Sequence, residues 1–277
     1  MSSNSTPYYF VPGLSRHPAM AAAGLIAFGY GMTGWVNHTS WGGTLALIGV
    51  AWILFVLYNW FGDTIAESNS GKNGVNVDIS YRWSMAWFIF SEIMFFGAFF
   101  AALFYARNIA MPWMGDVESK LLWPNDGPAG LVEKFTTMGP WPIPTLNTFL
   151  LLSSGVTITY AHHALVENHM KKAIVGLAAT VALGFVFLCF QGYEYYHVYH
   201  ELNLKLTSGI YGSTFFMLTG FHGFHVFLGG TMLAIVLRRM IRGDFTAEHH
   251  FAFEGAAWYW HFVDVVWLGL YIAVYWM

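Results

Sequence analysis

From Tyr81 to Tyr105 the chain reads YRWSMAWFIFSEIMFFGAFFAALFY, apolar almost throughout, with one carboxylate, Glu92, near its middle. A helix advances about 1.5 Å per residue, so this run is long enough to cross a hydrocarbon layer about 30 Å thick. Six further apolar stretches follow the same rule: His17–Val36, Trp41–Phe61, Pro144–Val166, Lys172–Tyr196, Gly209–Leu237 and Phe251–Trp276. Inside lipid every backbone N–H and C=O must be satisfied within its own segment, which makes these stretches helices. The expected fold is therefore an all-α polytopic membrane protein with seven transmembrane helices. Composition agrees, because only 10% of residues are charged, against about 25% in soluble domains. The net charge of −3 gives no footing for nucleic acid. The lone Cys189 excludes an intrachain disulfide.

The connections order the spans. Asn37–Ser40 is so short that the first two spans form an antiparallel hairpin, 17–61. Glu67–Ile79 is a polar loop rich in Gly and Asn. The one long connector, about 106–143, holds Pro112, Pro124, Pro128, Pro140 and Pro142 and reads as an extramembrane loop. Pro144 suits the first turn of the fourth span. With the N-terminus inside, inner segments hold Arg16, Lys72, Arg82, Lys171, Lys172, Arg238, Arg239 and Arg242. The outer segments hold only Arg107, Lys120, Lys134 and Lys205. The excess of inner Lys and Arg sets that orientation. The segment before the first span lacks the basic start of a cleaved signal peptide. The whole chain, 1–277, reads as a single membrane domain with a five-helix part over 81–276.

The ionisable residues inside the spans carry what chemistry there is. A charge at Glu92 would cost at least about 2.5–3.5 kcal/mol on insertion scales. Helical spacing puts Phe88, Phe95, Phe96 and Phe99 on or beside its face, an apolar cage that favours the neutral acid. Such a group either hydrogen-bonds a neighbouring helix or exchanges protons. Span four carries Ser153, Ser154, Gly155, Thr157 and Thr159, small or hydroxylic residues that let helices approach and bond across. His162, His163, Glu167 and His169 gather at its end, with His163 and Glu167 spaced to pair. In span five Gln191 and Glu194 share a face, and His197 and His200 lie near its end; bonding to the interfacial tyrosines suits them. In span six His222 and His225 are three apart. They could ligate a metal, since imidazole suits iron, copper and zinc, or serve packing beside Gly220 and Gly223. In span seven His261 and Asp264 are spaced to satisfy one another, and Glu254 stands near the start. These buried polar groups fall in spans three and five to seven and not inside one or two. A polar-cored bundle of spans three to seven, with the hairpin set apart, is expected. Neither a phosphate-binding Gly loop nor a nucleophile elbow is present. The histidine pairs lie at different depths, unlike the dense boxes of membrane di-iron enzymes.

The stretches SEIMFFGAFFAALF (91–104), LNTFLLLSSGVTITYAHHALVE (146–167), YGSTFFMLTGFHGFHV (211–226) and HHFAFEGAAWYWHFVDVVWLGLYIAVYW (249–276) resemble subunit III of cytochrome c oxidase, the haem–copper respiratory oxidase. His17–Pro18 and the run Tyr58–Ser68 extend the resemblance to the first hairpin. The resemblance implies seven helices, with helices one and two splayed from a bundle of helices three to seven and lipid in the cleft. It implies a non-catalytic subunit of an aa3-type, proton-pumping oxidase of aerobic respiration. That subunit packs on subunit I, alongside subunit II, and binds no haem or copper itself. Haem a, haem a3 and copper belong to the partner subunits, and cytochrome c donates electrons to the complex. The implied roles are support of proton uptake, protection during turnover and shaping of oxygen access. Glu92 matches the family's buried glutamate.

The family's lipid contacts map to Trp60, Phe61, Glu67, Phe88, Arg239 and Thr246. Both arginines of the pattern W-W-R-D-V-x-R-E are replaced, by Gly62 and Ala66, so Arg239 would carry more of a phospholipid head group. Asp244 stands where a histidine is common. The resemblance implies a shorter connector in mitochondrial members, so the long one here points to a bacterial cytoplasmic membrane. The alternatives are a quinol-oxidase subunit, which commonly lacks the first two helices, a free-standing proton channel or transporter, and a membrane metalloenzyme.

Overall fold

The computed structural model describes residues 13–71, 73–110 and 135–276. Lys72 and residues 111–134 of the long connector, with Pro112, Pro124, Pro128, Lys120 and Lys134, lie outside the described residues, as do Pro7 and Pro12. Among the described residues there are seven helices long and apolar enough to cross a membrane, and no strand. They are α1 (His17–Val36), α2 (Gly42–Asn69), α3 (Val75–Tyr105), α4 (Ile143–Val166), α5 (Met170–His200), α6 (Gly209–Arg242) and α7 (Phe251–Leu270). π-helical turns extend α3 through Ala106–Ala110 and α7 through Tyr271–Trp276. Several helices outrun their apolar stretches. α2 continues past Phe61 to Asn69, and α6 past Leu237 to Arg242. Hydropathy marks the part that lies in lipid, whereas backbone hydrogen bonding continues into the polar boundary wherever no breaker stands.

The breakers are where the local chemistry requires them. Gly243 ends α6 in the left-handed conformation at φ 84°. Its N–H donates to Met240 O and that of Asp244 to Arg239 O, a glycine-capped C-terminus. Asn168, at φ 61°, turns the chain between α4 and α5, a conformation asparagine tolerates better than most residues. Pro144 sits in the first turn of α4, as expected.

Contacts divide the chain into two compact units, Met1–Tyr81 and Arg82–Met277, with the division inside α3. The first unit is the α1–α2 hairpin, and glycines set its spacing. A Cβ on Gly31 would strike the backbone of Ala46, one on Gly42 the backbone of Trp35, and one on Gly49 the backbone of Phe28. Lipid tails give apolar side chains no reason to associate, so close backbone approach supplies the attraction. At the polar end His17 Nε2 lies 2.8 Å from Asp63 Oδ2, and the His17 ring stacks on Trp60.

The second unit is built around α7. Twelve of its 20 residues are buried, so it is enclosed on nearly all sides. Trp260 is its keystone. The indole enters where α5 and α6 have only Gly184 and Gly229, and its Nε1 donates to Ser154 Oγ on α4 at 2.9 Å. About two turns on, Trp267 Nε1 donates to Thr148 Oγ1, and the hydroxyls of Thr145 and Tyr271 pair at 2.6 Å. Thr157 bonds Thr180 of α5. The hydroxyl stripe of span four thus works across helices, as its composition implied. Close packing on α6 is at Gly229, however, because Gly223 has open space and Gly220 only ordinary contact.

Candidate functional site

Glu92 faces α6, where His225 Nε2 lies 3.0 Å from Glu92 Oε2. The same imidazole has Nδ1 at 2.6 Å from the carbonyl of Phe221, four residues back on α6. A carbonyl only accepts, so Nδ1 carries a hydrogen. Nε2 then either accepts the proton of a neutral Glu92 or donates as an imidazolium to the anion. In both arrangements one proton lies between the two side chains and the pair has no net charge. The cage expected around Glu92 from helical spacing closes mainly on the histidine. Phe96 lies 5.0 Å from the His225 ring, and Phe95, Tyr259 and Phe262 lie between 6.1 and 6.4 Å. Phe99 packs edge-on against Phe95 and beside Phe221, and Phe88 stacks on Tyr259. The Glu92 side chain keeps 21% exposure, on a helix of which only Phe96 and Leu103 are buried. α3 meets α6 and α7 through such side chains, and near its start Arg82 pairs with Glu254 of α7 at 2.5 Å.

The other buried polar residues of spans six and seven, His222, His261 and Asp264, have partners of their own. His222 is fully buried. Its Nε2 is 3.2 Å from Val263 O, and its ring lies between Phe187 and Trp267. His261 Nδ1 approaches Asp264 Oδ2 at 3.4 Å while its Nε2 faces Thr159 at 3.3 Å. Asp264 fits against α4 because Gly155 has no Cβ. The two histidines of span six therefore serve different helices. Among the described residues no three His, Cys, Asp or Glu side chains are grouped to hold a metal. The pair expected between His163 and Glu167 is replaced by Glu167 with His169, and His162 reaches across to His250. His197 pairs with Glu201, while the His200 ring lies tilted against Tyr196.

The residues matched to lipid contacts fall in both units. Trp60, Phe61 and Glu67 belong to the last turns of α2, with Phe61 exposed. Phe88 is exposed on α3. Arg239 lies in the last turn of α6, its Nε donates to Asp244 Oδ2 at 3.2 Å, and its guanidinium lies over Phe245. The replacement at Asp244 thus supplies a counter-charge within the turn. The Thr246 hydroxyl accepts from His249 N–H and shapes the same turn.

Sequence reading placed Gln191 and Glu194 with the interfacial tyrosines, yet both are buried inside the bundle. Tyr275 OH donates to Glu194 Oε1 at 2.6 Å. The three-residue spacing of Gln191 and Glu194 was the available signal. Tyr275 could not be paired with them from spacing, because it is reached through a π-helical turn at the far end of α7.

A family model described as cytochrome c oxidase subunit III matches residues 6–277. A protein of Gadus morhua named cytochrome c oxidase subunit 3 is 43% identical over 277 residues, 100% of this chain and 99% of the relative. Proteins of that name from Oncorhynchus mykiss and Carassius auratus are each 42% identical with the same coverage. These relatives are fish proteins, and the bacterial membrane expected from the connector gains no support from them. The match runs through both units, from the glycine-packed hairpin to the buried α7, and the chain belongs to the cytochrome c oxidase subunit III family.

Proposed function

We propose that this chain is the non-catalytic subunit III of an aa3-type, proton-pumping cytochrome c oxidase. It packs on subunit I, supports proton uptake and steadies the complex during turnover. The observation that carries this is the Glu92–His225 pair, a neutral proton-holding couple on the outer flank of a bundle with broad apolar faces. A free-standing channel would be expected to link its ionisable groups, whereas here they are bonded in separate places. The hairpin of α1 and α2 favours an oxidase that takes electrons from cytochrome c over a quinol oxidase. Haem a, haem a3 and copper are then held by subunits I and II. Phospholipid is bound at the turn between α6 and α7, where Arg239 offers a cation. The distribution of Lys and Arg supports an N-terminus inside and a C-terminus outside an energy-coupling membrane.

Purification in mild detergent tests the assignment. The chain should co-migrate with a-type haem absorbance and two partner subunits, and the separated chain should show neither haem nor copper. Stoichiometric metal in the separated chain, or stable purification without any haem-bearing partner, overturns the reading.

A further inference from the structure

Deep in the second unit, away from Glu92, four polar side chains meet among apolar neighbours. Asn147 of α4 and Glu194 of α5 have no exposed surface, and Gln191 and Tyr275 are each 5% exposed. Asn147 Nδ2 donates to Gln191 Oε1 at 3.5 Å, and Tyr275 OH donates to Glu194 Oε1 at 2.6 Å. Asn147 Oδ1, Gln191 Nε2 and Glu194 Oε2 make no hydrogen bond of good geometry within the protein, although the Gln191 side chain lies close to both Glu194 and Tyr275. Nothing in the family resemblance or in the proposed role accounts for them.

Their chemistry is complementary to one small ligand. Asn147 Oδ1 accepts, Gln191 Nε2 donates, and a protonated Glu194 Oε2 donates. A water that accepts from the last two and donates to the first makes three bonds, the usual number for a buried water. An anionic Glu194 with one oxygen unpaired would bear a large desolvation cost, and Tyr275 answers only the other oxygen. Tyr275 also lines a cavity of about 220 Å³ together with Arg107, Thr214 and Tyr211. That cavity lies at the end of the bundle where α3 gives way to the connector. The π-helical turn Tyr271–Trp276 presents Tyr275 to both the cavity and Glu194; such turns often occur at functional sites.

We propose that Asn147, Gln191, Glu194 and Tyr275 form a buried site for water and an exchangeable proton, with Tyr275 dividing it from the cavity. In the exchange, Glu194 gives its proton to the bound water and receives one of that water's protons, so the site stays neutral. Infrared spectra of the assembled complex in H2O and D2O test this. Glu194→Gln should remove one protonated-carboxyl C=O band, and that band should move to lower frequency in D2O. Tyr275→Phe removes the hydrogen bond to that carbonyl and should move the same band to higher frequency. A Glu194→Gln spectrum that loses no such band, or a band unmoved in D2O, overturns the proposal. If Glu194→Gln does not assemble, Tyr275→Phe decides it, and an unshifted carboxyl spectrum counts against the site. In a high-resolution density map, water must lie within hydrogen-bond reach of Asn147 Oδ1 and Gln191 Nε2. A dry site with Gln191 bonded directly to Glu194 would refute it.

Discussion

At the scale of single residues, the governing fact is how each buried polar atom is answered. His225 is fixed by the Phe221 carbonyl at one nitrogen and by Glu92 at the other. Removing one partner strands the other in apolar surroundings, a loss of about 1–3 kcal/mol. Glu92→Leu and His225→Leu should each lower the thermal midpoint of the assembled complex. The double variant should lose less than the sum, with a coupling of about 0.5–3 kcal/mol for groups in contact. Additive losses in that cycle would show that the pair does not act as a unit. Glu92→Gln should be much milder, because its amide N–H can donate to Nε2. Oxygen reduction should persist in it, since the proposed function puts that chemistry in another subunit. Abolished reduction in a fully assembled Glu92→Gln complex would make Glu92 catalytic.

At the scale of elements, the two units use different means of cohesion. Helices of the second unit are tied by side chains that reach across, such as Trp260 to Ser154 and Tyr195 to Thr219. The hairpin of α1 and α2 relies on backbone approach at Gly31, Gly42 and Gly49. Gly31→Leu should therefore force the helices apart, costing about 1–3 kcal/mol or more as an overpacked site. Gly29, two residues away, has open space where a side chain would go. Gly29→Leu should leave the thermal midpoint nearly unchanged. Equal effects of the two substitutions, read by thermal unfolding in detergent, would discount the close-approach account.

At the scale of the molecule, the question is what this chain brings to a complex. Arg239 lies at the turn between α6 and α7 with Asp244 on its Nε. A phosphate head group would compete with that carboxylate. Arg239→Ala should reduce the phospholipid retained on purification, and Asp244→Asn should raise it by removing the competing anion. Mass spectrometry of extracted lipid measures both. Unchanged lipid in both variants would move the binding site elsewhere.

Much of this protein follows from one-dimensional information. Seven spans, the hairpin link, Pro144 in a first turn and the hydroxyl stripe of span four were all legible, because hydropathy and helical periodicity are local properties. The family was legible too, through four long stretches that resemble subunit III. Helix ends beyond the apolar runs were not, because the polar turns of α2 and α6 leave no hydropathic mark. Partner choice was also hidden. Glu92 and His225 are 133 residues apart, and Glu194 and Tyr275 are 81 apart, so spacing along one helix could not pair them. Spacing suggested instead His222 with His225, and His163 with Glu167. The tertiary structure turns His222 to α7 and His225 to α3, because helix packing decides which face of a span meets which helix, and Glu167 pairs with His169 in the turn after α4.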